Sequence, residues 1–273
     1  MKDRLLRRFL PSTPVLARWP VLPQVLDAAD WFLHRHDPRY ERLPPASLRM
    51  RIGVGNQLLR NASVFENGQA TVRLCVAHGW VGDGARILEL GAGTGRNAVA
   101  LADQVAYESY DGIDVDREMV SWCRRHLGDA RTRFHHADLF SAVYNPGGSP
   151  VPGYRLPLAA GSVTFSLGVS LFSHLVAQDA THYAAELGRV TQPGGYGSHT
   201  FFLLDYIEGL LGDRWTFTHE AEGCRLQSAR YPEAAVAYRE ADVRMMFARS
   251  AFEVIDVLDK DQHQQTVVIR RES

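Results

Sequence analysis

Apolar and polar positions change rhythm along this chain, and each change marks an element. Val25 to Leu33 has helical spacing with an aromatic face from Trp31 and Phe32, and Pro44-Pro45 closes that section. Val72 to Ala77 predicts a second helix. Ile87 to Leu90 is an apolar run carrying one acid, Glu89; alternating glycines at 91, 93 and 95 follow, and Ala98 to Ala102 has helical composition. That order reads as strand, tight turn, helix. Tyr110 to Asp114 predicts a second strand ending in an acid, and Arg117 to Leu127 a helix with Met119, Val120, Cys123 and Leu127 on one stripe. Arg133 to Leu139 and Val163 to Gly168 continue the alternation as third and fourth strands. Helix Tyr183 to Val190 leads through Pro193-Gly194-Gly195 to a fifth strand, Tyr196 to Phe202.

Beyond residue 203 the periodicity fades until about Tyr231. Pro232 to Tyr238 is then expected to enter a helix with Val243, Met246 and Phe247 facing inward. Phe252 to Leu258 and Gln265 to Ile269 make two closing strands, the last antiparallel. The fold class is therefore α/β: a Rossmann-like, seven-stranded, mostly parallel sheet with an antiparallel last strand, helices on both faces and a helical N-terminal cap. Residues 1–80 are expected to form the cap and arm. Residues 81–273 are expected to form the main domain, with an insertion at about 203–238 that closes over a substrate.

The glycine turn brings in the chemistry. Its backbone needs positive φ and close approach of a ligand, and open α/β sheets bind ligands at the carboxyl ends of their strands. A dinucleotide fingerprint is G-x-G-x-x-G, whereas Gly91, Gly93 and Gly95 alternate and Arg96 follows, so a nicotinamide-dependent oxidoreductase is the lesser reading. Asp114 lies about twenty residues past the glycines, where a nucleoside site needs a carboxylate for both ribose hydroxyls.

Glu89-x-Gly91-x-Gly93-x-Gly95 resembles the first motif of the class I S-adenosylmethionine (SAM) methyltransferases. Leu156-Pro157-Leu158 through Phe172-Ser173-His174-Leu175 is similar to that family's fourth strand and loop, with Thr164 where an Asp is usual. Glu186-Leu187-Gly188-Arg189-Val190 and the following Pro193-Gly194-Gly195 resemble its turn before strand five. The resemblance runs from about 48 to 270, firmest over 86–202. It implies SAM as cofactor, with Asp138 accepting from the adenine amino group and the Leu139 amide donating to a ring nitrogen. It also implies that Arg51 or Arg49, in Arg49-Met50-Arg51-Ile52-Gly53, meets the ligand carboxylate. Glu89, Gly91, Ala92, Gly93, Asn97, Val115, Gly168 and Phe172 complete the implied cofactor-binding set, and Met119, mostly core, also touches adenine.

Methyl transfer from a sulfonium is an in-line displacement, so alignment and exclusion of water do most of the work. A hydroxyl acceptor also profits from a base. His174, after the fourth strand, is the first candidate and His199 the reserve; Tyr206 and Trp215 in the insertion are expected to face the substrate. The acceptor is expected to be a small molecule such as a sugar or secondary metabolite, methylated on oxygen rather than nitrogen. The competing readings are a non-catalytic partner of the same fold and a tRNA or protein methyltransferase. A net charge of −1 offers no basic field for nucleic acid.

Three scattered cysteines without a C-x-x-C pattern fit a reducing cytoplasm. His34-x-His36-Asp37 does not put two imidazoles on one helical face, so no metal is expected. No apolar run approaches a membrane span. The basic, apolar-interrupted start, Met1 to Leu10, leaves peripheral contact with lipid or a partner protein open beside a loosely packed terminal helix.

Overall fold

The computed structural model of the chain describes residues 21–52, 61–142, 144–207, 215–260 and 263–273. The basic start, Gly53 of the Arg-rich motif and part of the expected insertion lie outside these residues. Helix α1 (Leu22–His34) is followed by the short α2 (Ala46–Arg49), a single 3-10 turn at Met50–Ile52, and α3 (Asn61–Ala77). Strands and helices then alternate: β1 (Arg86–Leu90), α4 (Arg96–Gln104), β2 (Ser109–Asp114), α5 (Arg117–His126) and β3 (Thr132–His136). Next come β4 (Val163–Gly168), α6 (Ala177–Val190), β5 (Thr191–Leu203) and α7 (Leu204–Ile207). Short strands β6 (His219–Ala221), β7 (Cys224–Leu226) and β8 (Val236–Tyr238) precede α8 (Glu240–Ala248), β9 (Phe252–Leu258) and β10 (Gln265–Arg271).

Seven strands make the main sheet in the order β3-β2-β1-β4-β5-β10-β9. The neighbours from β3 through β5 pair in parallel, while β10 is antiparallel to both β5 and β9. The reversal of strand order between β2-β1 and β4 opens a crevice at the carboxyl ends, where such sheets bind ligands. One face buries Ile87, Phe165 and Leu167 with Leu101, Val120 and Cys123; the other buries Leu88, Leu90 and Ile113 with Leu187 and Phe247. The stripe expected on α5 is on the inside, with Met119, Val120 and Cys123 buried.

Three departures have physical causes. Residues 236–238 form a strand instead of starting a helix, because β5 overhangs β4 and its Phe202 and Leu203 pair with Ala237 and Tyr238. β6 and β7 extend that overhang into a small three-stranded annex, so there are ten strands among the described residues where the pattern predicts seven. Thr164, standing where an Asp is usual in the resemblance, stitches β4 to β1: its Oγ1 accepts from Arg86 N at 2.9 Å and donates to Arg86 O at 3.2 Å.

Candidate active site

The crevice is built from the glycine turn outward. Gly91, Gly93 and Gly95 all have positive φ, at 72°, 53° and 73°. A Cβ at Gly95 would lie 2.5 Å from Leu127 Cδ1 and one at Gly93 would lie 3.3 Å from Ile52 Cγ2, so the turn is both left-handed and tightly covered. Gly91 N and Ala92 N both donate to Ile113 O, at 2.8 and 3.0 Å, which hooks the turn onto the end of β2. Gly93 N donates to Asp114 Oδ2 at 2.7 Å, while Asp114 Oδ1 accepts from Asp116 N at 2.8 Å. Asp114 is only partly covered, yet its recess is poorly solvated, and desolvation pushes its pKa up to about 6.

Beneath the turn Glu89 is buried, accepting from Tyr110 OH at 2.5 Å and from Asn97 Nδ2 at 2.7 Å. Desolvation raises its pKa to about 7 against the pull of those donors. At the end of β3, Asp138 is exposed and accepts from Asn145 Nδ2 at 2.9 Å, and the same amide nitrogen donates to Leu139 O at 3.0 Å. Arg51 and Ile52, from the 3-10 turn after α2, reach this rim. Arg51 pairs with Asp116 at 2.8 Å and with Glu118, and its carbonyl accepts from Tyr144 OH at 2.9 Å.

The loop after β4 forms the opposite wall. Ser170 is held at a φ of 58°, its amide donating to Thr200 Oγ1 at 2.7 Å, and Leu171 packs over Gly91. His174 follows in the single 3-10 turn Phe172–His174, with Nδ1 2.9 Å from the carbonyl oxygen of Glu233. A carbonyl can only accept, so Nδ1 carries the proton and neutral imidazole presents its lone pair at Nε2. His174 is exposed at the surface, yet desolvation by the protein packed around it lowers its pKa and keeps it neutral near pH 7. The Glu233 carboxylate in turn accepts from Ala142 N at 2.9 Å, tying the annex to the loop after β3.

A family model described as "Methyltransferase domain" matches residues 87–195, the segment from Ile87 in β1 to Gly195 in β5. The chain carries a class I SAM-dependent methyltransferase domain. Solved structures share its fold at low identity. A chain of the complex between the Haloferax volcanii Trm112 methyltransferase activator and a putative methyltransferase is 16% identical, with a TM-score of 0.55, 78% of this chain and 94% of that one being covered. A SAM-dependent methyltransferase from Methanosarcina mazei is 17% identical, at 0.52, with 72% and 97% covered. The Burkholderia thailandensis 1,6-didemethyltoxoflavin-N1-methyltransferase, bound to its 1,6-didemethyltoxoflavin and to S-adenosylhomocysteine, is 14% identical, at 0.51, with 92% and 91% covered.

The cofactor of this methyltransferase is SAM, and the residues present fit it. A Cβ at Gly93 would crowd Ile52 and one at Gly91 would fill the space up to Leu171, a partly open carboxylate stands at the end of β2, and Arg51 Nε is buried with no hydrogen-bond partner. Gly91, Ala92, Gly93, Asp114, Asp138, Leu139 and Arg51 therefore lie around the carboxyl ends of β1, β2 and β3. Other expected positions fall elsewhere. Glu89 and Asn97 bond to each other below the turn, so this acid braces the loop instead of reaching the crevice. Arg49 is fully buried against Asp30, at 2.6 Å, which leaves Arg51 as the arginine at the rim.

Met119 is 2% exposed inside the α5 stripe, and its amide is bound by the Asp116 cap at 3.1 Å. Val115 packs against the core, its carbonyl 3.2 Å from His136 Nε2. Phe172 is wholly buried, stacked on Phe201 at 4.7 Å. Gly168 faces His199: a Cβ there would be 2.6 Å from His199 Nδ1.

His199 itself is wholly buried between Phe172 and Phe247, bonded to Ser166 Oγ at 3.0 Å, and desolvation lowers its pKa to about 3. It is a core side chain and not a base. Trp215 packs with Phe202 at 5.1 Å and Phe217 at 6.1 Å, so it is the annex's own core. Tyr206 gives its hydroxyl to Glu240, with Lys260 Nζ 5.2 Å over its ring. Among the described residues no group of three metal-binding side chains comes together.

Asp116, Tyr144 and Glu233 are the site residues that pattern reasoning passed over. Asp116 carries a signal, an acid one residue before a helix, and it caps α5 through Glu118 N and Met119 N. Tyr144 and Glu233 come from loops with no periodicity to mark them.

Proposed function

We propose that this SAM-dependent methyltransferase methylates a hydroxyl of a small molecule, such as a sugar or secondary metabolite, with His174 as general base. The observation that carries this reading is the Nδ1 contact of His174 with the Glu233 carbonyl, which supports a lone pair fixed at Nε2 beside the crevice. Bound SAM supplies an electrophilic methyl group activated by the adjacent sulfonium. Asp114 would accept from the ribose hydroxyls, Asp138 from the adenine amino group, and Arg51 Nε would meet the carboxylate; the Leu139 amide, expected to donate to an adenine ring nitrogen, instead donates to Ala137 O at 2.8 Å. Glycines 91 and 93 admit the amino-acid tail. Residues 1–80 act as cap and residues 203–238 as lid, with the annex and Tyr206 closing the acceptor side. His174 Nε2 then takes the hydroxyl proton as the carbon–oxygen bond forms and the methyl carbon–sulfur bond breaks, its electron pair leaving with S-adenosylhomocysteine.

The reading includes a cytoplasmic location, supported by Cys75, Cys123 and Cys224 all being free. Among the described residues no helix is long and apolar enough to cross a membrane. A protein partner is a second reading, because one structure of similar fold is a complex with an activator protein.

The test is S-adenosylhomocysteine release across a panel of sugars and phenolic or polyketide hydroxyl acceptors, with amines as controls. His174→Ala lowers kcat by about 100-fold or more while leaving cofactor affinity intact. Because the His174 pKa is lowered, wild-type kcat is flat at neutral pH and falls only below the ordinary histidine range. Turnover of amines alone, or equal kcat in the variant at every pH, refutes the proposal.

A further inference from the structure

Helix α1 is built inside out. Its acids point at the protein: Asp30 is fully buried against Arg49, and Asp27 accepts from both the amide and the hydroxyl of Ser47, at 2.9 and 2.7 Å. Most of the large apolar residues on it and at its N-cap, Val21, point at water, while Leu26 is half-buried. Val21, Val25, Trp31, Phe32 and Leu33 are each between 57% and 66% exposed, and they make up five of the eleven exposed large hydrophobic residues among the described ones. Val21, Val25 and Phe32 fall on one helical stripe that passes over the exposed Ala28 and Ala29. Arg35 folds back over this patch, its guanidinium carbon 4.2 Å from the Phe32 ring centre and 5.8 Å from that of Trp31. Such a side chain covers apolar surface with its stem and keeps its charge at the edge.

We propose that this face docks on an anionic lipid bilayer. A patch of this kind marks an interaction site, and its charge selects the partner. The first 36 residues contain six Lys or Arg and three Asp, two of which are the inward-facing Asp27 and Asp30. The twenty residues that lead in sequence into this patch at Val21 hold five of those bases and one Asp, and Arg35 lies on the patch itself, although the whole chain carries a net charge of −1. A second copy of the chain, meeting across a two-fold axis, would set basic charge against basic charge. Anionic headgroups neutralise it, while Trp31, Phe32 and Leu33 enter the boundary between headgroups and acyl chains. The same cap seats Ile52 over Gly93, so docking holds the crevice close to the lipid surface and favours acceptors that partition there.

The test is co-sedimentation of the full chain with vesicles of phosphatidylglycerol mixed with phosphatidylcholine, and with vesicles of phosphatidylcholine alone. Binding to the mixed vesicles is expected to exceed binding to neutral ones and to weaken as salt shortens the Debye length. A Trp31→Ala/Phe32→Ala double variant is expected to lose about tenfold or more in partitioning, and Phe32→Glu at least as much. Both variants keep the thermal stabilisation by S-adenosylhomocysteine, which shows that they are folded. Equal binding by wild type and variants, no preference for anionic lipid, or a wild-type dimer in sedimentation equilibrium that the double variant abolishes would each overturn the proposal.

Discussion

Glu89→Gln makes the methyltransferase more stable at neutral pH. The wild-type carboxyl has an ordinary pKa of 4.5 and, desolvated beneath the glycine turn, one of about 7 in the folded protein. The folded state therefore holds this proton more tightly than the unfolded state does. Below pH 4.5 the group is protonated in both states and costs nothing; between 4.5 and 7 stability falls as pH rises; above 7 the whole penalty is present. At about 1.4 kcal/mol per pH unit that penalty is about 3 kcal/mol. Glutamine matches the carboxyl in shape and can still accept from Asn97 while Tyr110 turns its hydroxyl to accept from the new amide. Urea unfolding of both proteins between pH 4 and 8, followed by intrinsic fluorescence, reads the difference. The variant is expected to match wild type near pH 4 and to gain progressively up to about pH 7. A difference that is constant with pH, or that favours wild type as pH rises, means that Glu89 is charged and well stabilised in the fold, and the argument fails.

Asp114→Ala weakens S-adenosylhomocysteine binding by about 30-fold or more, the loss of charge-assisted hydrogen bonds from a partly open recess. In wild type the affinity is expected to drop as pH falls through about 6, where Asp114 takes a proton; calorimetry across that range checks both. Gly95→Ala forces a non-glycine residue into φ 73° with its Cβ 2.5 Å from Leu127 Cδ1, a loss of about 2–4 kcal/mol by urea titration, the lower end if the tip of Leu127 moves aside. Arg49→Met strands Asp30 without its partner and costs about 3–5 kcal/mol. Adding Asp30→Leu is expected to restore most of that loss, as read by proteolytic resistance of the cap.

Local chemistry was legible in the linear pattern. Glycines placed where a strand turns directly into a helix were expected to take positive φ, and Gly91, Gly93 and Gly95 all have it. An acid that closes a parallel strand comes out at the strand's carboxyl end whatever surrounds it, so Asp114 and Asp138 could be placed from spacing. The alternation of strands and helices led to the main sheet, and Thr164 could depart from the usual Asp because a hydroxyl also bridges the Arg86 backbone.

Depth was not legible. His174 and His199 look alike as residues near strand ends, yet one sits at the protein surface and the other lies between Phe172 and Phe247; only the stacking of layers separates them. Trp215 could equally have faced a substrate or its own annex, because an aromatic ring gains from covering either. Residues 236–238 became a strand through pairing with an overhang that their own sequence does not encode. The contacts that orient the site, Glu233 with His174 and Tyr144 with Arg51, join residues 59 and 93 positions apart. Propensity and spacing act over a few residues, so the sequence alone determined the order of elements and the chemistry at each turn. Which side chains meet across those turns, and which are shut away from water, depends on close packing of distant segments, and that the tertiary structure decided.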